Sequence, residues 1–281
     1  MEQAKVHELA VTAARGRVYA MDMVHKAASG HIGGSLSAMD LMTVLYFDEM
    51  KIDPAQPRWA DRDRFVLSKG HCTPALYPML AMRGFFPVER LQEFRAIDGH
   101  VSGHPDMNEI PGVDMSTGSL GQGISAAVGM ALAGKLDKKD YRVYALLGDG
   151  EIEEGQVWEA SMAAAKYHLD NLCAVVDVNG LQIDGATSKV MPSEPLDEKF
   201  AAFGWNVLKV DGHDYAAISD VLAQAKTCKD KPTVILMKTV KGKGVYFMEN
   251  NAGWHGKAPN DEQYAVAHAE LVAALEELEG K

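Results

Sequence analysis

Cysteine is scarce in this chain. Cys72, Cys173 and Cys228 form an odd, scattered set without metal-ligand spacing, which argues against a disulfide framework and for a reducing compartment. Basic charge is also short. The chain has 28 lysines and arginines against 39 acidic residues, a net charge of −11. A general nucleic-acid or anionic-membrane binder shows the opposite balance. No apolar run reaches the roughly 18 residues of a membrane span, and the opening residues carry no apolar signal core, so a soluble cytoplasmic protein is expected. Internal repeats and low-complexity tracts are missing as well. The 281 residues suffice for one large α/β domain, expected over 1–281.

What is present centres on one stretch. Residues 141–147 are short, apolar and β-friendly, so they predict a buried strand. Gly148-Asp149-Gly150 follows where that strand should end, and Gly150 lets the backbone come close to a ligand. A helix is expected next, with glutamates in its first positions and Val157, Ala160 and Ala164 on one face. Residues 171–177 predict a second strand, with Asn179 just past its end. Parallel α/β sheets place ligand sites outside the carboxyl ends of their strands. Asp149 and Asn179 should therefore stand side by side, each offering an oxygen. One carboxylate and one amide oxygen suit magnesium, which shares its octahedron with substrate phosphates and water. The same two residues would also serve as ordinary turn formers.

Other loops repeat the theme. Residues 4–28 predict a helix closed by Ser29-Gly30. The segment 30–35 is too glycine-rich for a regular element, which leaves Ser37 to cap a helix over 38–50. His31 in that loop is a site candidate. Residues 64–67 predict a strand ending at Ser68-Lys69-Gly70-His71 before a helix over 75–82; Lys69 there would meet a phosphate or be solvated. Helix breakers surround His100 and His104, and Gly103 and Pro105 make a helical zinc pair unworkable. Residues 116–123 form a glycine-rich turn into a small-residue helix over 124–136, a natural anion or close-approach site that also permits tight helix packing. It fits neither common nucleotide motif. Strands are expected at 205–210 and 233–237 and helices at 196–203, 215–226 and 261–279, with 181–187 a loop. His213, in the turn before the helix at 215, reads as structural. Lys241 leaves the last strand among glycines, a position that invites phosphate.

Read together, these segments resemble the transketolase branch of thiamine-diphosphate enzymes. The carriers are Ser29-Gly30-His31, Ser68-Lys69-Gly70-His71, Gly103-His104-Pro105, and residues 117–123 (Thr-Gly-Ser-Leu-Gly-Gln-Gly). Gly148-Asp149-Gly150 with the Trp158-Glu159-Ala160 continuation, Asp177-x-Asn179-x-Leu181, and Trp254-His255-Gly256-Lys257 complete the set. The usual Pro-Gly after the first histidine is here Ile32-Gly33. The resemblance implies a three-layer αβα fold with a mainly parallel sheet, the diphosphate-binding type of domain. It implies Mg²⁺ or Ca²⁺ held by Asp149, Asn179 and the Leu181 carbonyl. Thiamine diphosphate would be held by Gly118 and Leu120 at its aminopyrimidine, Ile183 at its thiazolium, and Gly148, Gly150 and Lys241 at its diphosphate. His31, His71, His104 and His255 would cluster around the reacting carbon, and Glu154 would join an inter-subunit proton network, with Glu159 either part of it or a helix-end charge.

The resemblance covers only the amino-terminal half of a full-length transketolase. The expectation is a split enzyme: this chain and a partner chain carrying the pyrimidine-binding domain, together forming an α₂β₂ tetramer that transfers a two-carbon ketol unit between sugar phosphates. Three alternatives stay open: a specialised ketol transferase for branched or sulfonated sugars, a deoxyxylulose phosphate synthase or 2-oxoacid dehydrogenase, and a non-catalytic cofactor-holding subunit. The four histidines and Trp158-Glu159-Ala160 weigh against the second, and the intact histidines against the third.

Overall fold

In the computed structural model, which describes residues 1–280, the chain opens with helices α1 (Gln3–Lys26) and α2 (Ile32–Val44), the latter widening into a π-helical turn at Leu45–Glu49. Strand β1 (Arg64–Leu67), helix α3 (Thr73–Arg83) and helix α4 (Gln122–Leu136) follow. Next come strand β2 (Val143–Gly148), helix α5 (Gly155–Lys166) and strand β3 (Leu172–Val178). A two-stranded hairpin, β4 (Leu181–Gln182) and β5 (Gly185–Ala186), leads into the single turn α6 (Thr187–Val190) and helix α7 (Leu196–Ala202). Strand β6 (Asn206–Asp211), helix α8 (Tyr215–Thr227), strand β7 (Thr233–Lys238) and helix α9 (Asp261–Glu279) complete the chain.

Five strands pair in the order β1-β2-β3-β7-β6, all parallel. Strand residues alternate between the two faces, and both faces are covered. Phe65, Leu67, Tyr144, Leu146, Val175 and Ile235 join α1, α2, α3, α8 and α9 on one side. Val66, Val143, Ala145, Leu147, Val176 and Val234 join α4, α5 and α7 on the other. Burial on both faces explains why the central strands read as unbroken apolar runs. The result is the three-layer αβα arrangement with a parallel main sheet. Its consequence is positional: the segments leaving β1, β2, β3 and β7 emerge at one edge of the sheet. Among the described residues no helix is long and apolar enough to cross a membrane.

Three local expectations are corrected. Helix α2 begins at Ile32, not residue 38, so the glycine pair lies in its first turn. These glycines serve close packing. A Cβ on Gly33 would lie 2.9 Å from the Trp254 carbonyl oxygen, and Ser37, rather than capping a helix, donates to Asp177 at 2.7 Å. The glutamates after Gly150 do not open α5: Glu151–Glu153 form a separate 3₁₀ turn and α5 starts at Gly155 without an acidic first turn. The loop after Leu181 is the small antiparallel hairpin.

Candidate active site

Four imidazoles meet at the carboxyl edge. His31 caps the start of α2, His71 sits in the turn after β1, His104 in the loop before α4, and His255 after a 3₁₀ turn at Ala252–Trp254. Ring centroids are 5.0 Å apart for His31–His71 and His71–His255, 5.5 Å for His31–His255 and 6.2 Å for His31–His104. Burial pushes all four below the usual histidine range, His31 to about 4 and His255 to about 3. Neighbouring cations add to this: Arg95 acts on His31 and His104, Lys241 on His31 and His255, and Lys69 on His71. Neutral imidazoles each offer one donor and one acceptor. The Nδ1 of His31 is buried without a hydrogen-bond partner, a cost that a bound group would relieve. His104 is the most open of the four. Gly118 (φ +155°) lets the backbone pass it, since a Cβ there would stand 3.1 Å from the ring.

Beneath the imidazoles lies a buried charge cluster. Asp149 at the end of β2 is 3 % exposed. Its carboxylate accepts from the Gly150 N–H at 2.9 Å and the Gly180 N–H at 2.5 Å. Burial, and then the neighbouring Asp177, push it up to about 6. Asp177 is fully buried and accepts from Lys69 at 2.5 Å, Ser37 at 2.7 Å and the Thr239 hydroxyl. Burial opposes its ionisation, but Lys69 and the hydroxyls outweigh that and hold it below the usual carboxylate range. Lys241 is 2 % exposed and donates to the Leu181 carbonyl at 3.2 Å, with His255 Nδ1 at 3.0 Å. No carboxylate pairs with it within ion-pair distance among the described residues. Burial, then Lys69, lower its affinity for its proton. An under-compensated carboxylate beside an ammonium lacking a counter-anion suits one divalent cation and one polyanion together. Among the described residues no cluster of three histidines, cysteines or carboxylates could hold a metal. A cation here would therefore share its shell with the anion, as magnesium does with phosphates.

The four histidines, Gly118, Leu120, Gly148, Asp149, Gly150, Asn179, Leu181, Ile183 and Lys241 all line one cleft of about 270 Å³. Leu120 and Ile183 are exposed at its lip. Asn179 turns its Oδ1 to the Leu181 N–H at 3.1 Å. Glu154 does not line the cleft; it is exposed, next to Gly121, at the start of α5. Glu159 is exposed. His100 is exposed and meets Glu109, apart from the imidazole cluster. Lys69 is 2 % exposed, so the solvated alternative is overturned: its partner is Asp177. A larger cavity of about 1070 Å³ opens over β6 and β7. It shares Asn179 and Gly180 with this region but holds none of the four clustered histidines.

Reading the sequence used Asp177 as a motif residue without seeing its pairing with Lys69, and missed Glu151. Glu151 is 2 % exposed and also lines the cleft. Its carboxylate accepts from Ser68 at 2.5 Å, from the Gly121 N–H at 2.9 Å and from the Gly148 N–H at 3.0 Å. The one available signal was an aspartate closing an otherwise apolar strand. His213 is structural, as expected: it lies 2.7 Å from Asp40 and accepts from the Val240 N–H at 2.9 Å.

Residues 7–274 match the family described as transketolase, thiamine diphosphate binding domain. The 6-deoxy-6-sulfo-D-fructose transketolase subunit of Clostridium sp. (strain MSTE9) is 47% identical over 255 residues, 91% of this chain and 93% of that one. An apulose-4-phosphate transketolase subunit of Phocaeicola vulgatus is 43% identical over 275 residues, 98% of each. The crystal structure of transketolase from Campylobacter jejuni superposes with a TM-score of 0.86 at 33% identity, over 99% of this chain but 47% of that one. The chain thus spans about half the length of the solved enzyme and nearly the full length of the two subunits.

Proposed function

This chain belongs to the transketolase family, and from that premise we propose that it is the diphosphate-binding subunit of a two-chain transketolase, transferring a two-carbon ketol unit from a ketose to an aldose. One observation carries the proposal: four neutral imidazoles converge above an under-compensated carboxylate and a buried lysine. Thiamine diphosphate supplies, when bound, a carbanion that adds to a ketose carbonyl and holds the resulting electron pair.

The chain's own residues do the rest. Asp149, Asn179 and the Leu181 carbonyl would hold Mg²⁺ or Ca²⁺, and Lys241 with the Gly148–Gly150 backbone would hold the diphosphate. Gly118 and Leu120 would meet the aminopyrimidine and Ile183 the thiazolium. Neutral His31, His71, His104 and His255 would accept and return protons at the sugar hydroxyls and carbonyl oxygen, the task for which imidazole is suited near neutral pH. Glu154, exposed beside the cleft, would meet the partner. The partner proposal is supported by the two relatives of matching length that are named as subunits. An α₂β₂ assembly is the closed arrangement we favour.

The experiment is ketol transfer by the chain alone and after mixing with a chain carrying the pyrimidine-binding half. Activity only in the mixture supports the reading. Full turnover by the single chain, or none in the mixture with any ketose phosphate or with 6-deoxy-6-sulfofructose, sinks it. A second reading concerns the donor. The relatives at 47% and 43% identity are named for a sulfonated and a branched sugar, which favours a donor modified in one of those ways. Comparing kcat/KM across fructose 6-phosphate, its 6-deoxy-6-sulfo analogue and apulose 4-phosphate decides between the donors.

A further inference from the structure

Glu151 ties together three segments that are distant in sequence. Ser68 lies 83 residues before it, at the end of β1, and Gly121 lies 30 before it, in the turn that opens α4. Gly148 is the last residue of β2. All three bonds end on one carboxylate that is 2 % exposed. A buried carboxylate is costly unless its oxygens are satisfied, and here three donors satisfy it. The two cleft-lining loops have unequal support without it. The Asp149 loop is also pinned by its own backbone, with the Asp149 N–H on the Asp177 carbonyl at 3.3 Å and the Gly180 N–H on its carboxylate. The turn at 117–121 has the Thr117 hydroxyl on the Leu67 carbonyl at 2.6 Å. Among the described residues, Glu151 alone joins that turn to the end of β2 by side-chain hydrogen bonds.

We propose that Glu151 is a positioning residue that fixes the distance between the turn carrying Gly118 and Leu120 and the loop carrying Asp149, and so sets the spacing at which the cleft grips the two ends of its cofactor. The proposal rests on the reading of this cleft as a thiamine-diphosphate site. A ligand reaching both loops should feel the loss of Glu151, whereas one reaching only the Asp149 loop should not.

Glu151→Gln keeps size but turns an amide NH₂ toward one of the three donors. Ser68→Ala removes one donor and is the milder change if the first variant folds poorly, which circular dichroism melting reports. Each full-length variant, with its partner chain and Mg²⁺, is titrated calorimetrically with thiamine diphosphate and with inorganic diphosphate. Glu151→Gln is expected to weaken thiamine diphosphate at least tenfold and inorganic diphosphate less than twofold, with Ser68→Ala between wild type and Glu151→Gln. Amide hydrogen exchange at Gly121, read without ligand, should quicken in both variants. Equal weakening of both ligands, or no weakening of either, overturns the proposal. Faster exchange at Gly121 with an unchanged affinity ratio also overturns it. If wild type binds inorganic diphosphate but not thiamine diphosphate, the underlying reading fails, and the wild-type titration alone reveals that.

Discussion

Two buried charge clusters stand on the same scaffold and differ in one respect. Around Asp40 both carboxylate oxygens are satisfied. Arg17 donates two bonds at 2.7 and 2.9 Å, Tyr215 donates at 2.6 Å, and His213 lies at 2.7 Å. Burial opposes ionisation of Asp40, but Arg17 and His213 outweigh it and hold the carboxyl well below its usual range. Around Asp149 the balance is left open. Two amide N–H groups reach it, Lys69 is committed to Asp177, and the carboxyl is pushed up to about 6. A closed cluster supports the fold, and an open one has room for a ligand's charge. The difference identifies the cleft on the molecule's own terms, before any comparison with relatives.

That contrast is tested most forcefully at Asp40. Asp40→Ala leaves Arg17 buried without its counter-charge, so unfolding free energy should drop by about 3–5 kcal/mol, read by urea denaturation. Thiamine diphosphate binding well below the melting temperature should change less than it does on removing Asp149. The mirror experiment is Asp149→Asn. Loss of the one charged protein ligand should weaken Mg²⁺-dependent cofactor binding by about 100-fold or more, since even outer-shell partners of a metal are worth about 10–100-fold. The metal-free variant should at the same time be more stable than wild type at pH 7, by about 1–3 kcal/mol, as a raised carboxylate pKa and one hydrogen bond predict. If both substitutions destabilise alike and spare binding alike, the two clusters are not different in kind.

Smaller changes probe the open cluster alone. Gly118→Ala places a methyl 3.1 Å from the His104 ring at a φ of +155°. It should lower kcat/KM about tenfold or more, because shifts near 1 Å at a reacting centre are costly. The gentlest test is pH. His31 and His255 titrate in the folded chain near 4 and 3, against about 6.5 unfolded. Between those values the unfolded chain binds more protons, so stability falls as pH drops below 6.5 toward 4. Both imidazoles should remain neutral at pH 5.5 by NMR. A midpoint at 6.5 for either would show that the cleft does not suppress their charge.

Much of this site was legible in the sequence because its markers are local. A glycine beside a histidine, or an aspartate between glycines at a strand end, advertises an unusual backbone wherever it occurs. Read through the family resemblance, those markers singled out the four histidines, Asp149, Asn179 and Lys241, while local pattern alone placed the strands β1, β2, β3 and β7 to within a residue or two. What stayed hidden depends on distant partners. Lys69 looks solvated until Asp177, 108 residues away, is placed against it. Glu151 looks like a helix-start charge until Ser68 and Gly121 arrive. The start of α2 was misplaced for a related reason. Glycines lower helix propensity, yet Gly33 is needed in that first turn because the Trp254 carbonyl presses against it.

One titration bears most directly on the cleft as a cofactor site: thiamine diphosphate into the chain reconstituted with its proposed partner, with Mg²⁺ present and then with a chelator. Saturable binding is expected that disappears when the metal is removed and that Asp149→Asn abolishes under the same conditions. Binding of equal strength with and without the metal, or no binding at all, would contradict it.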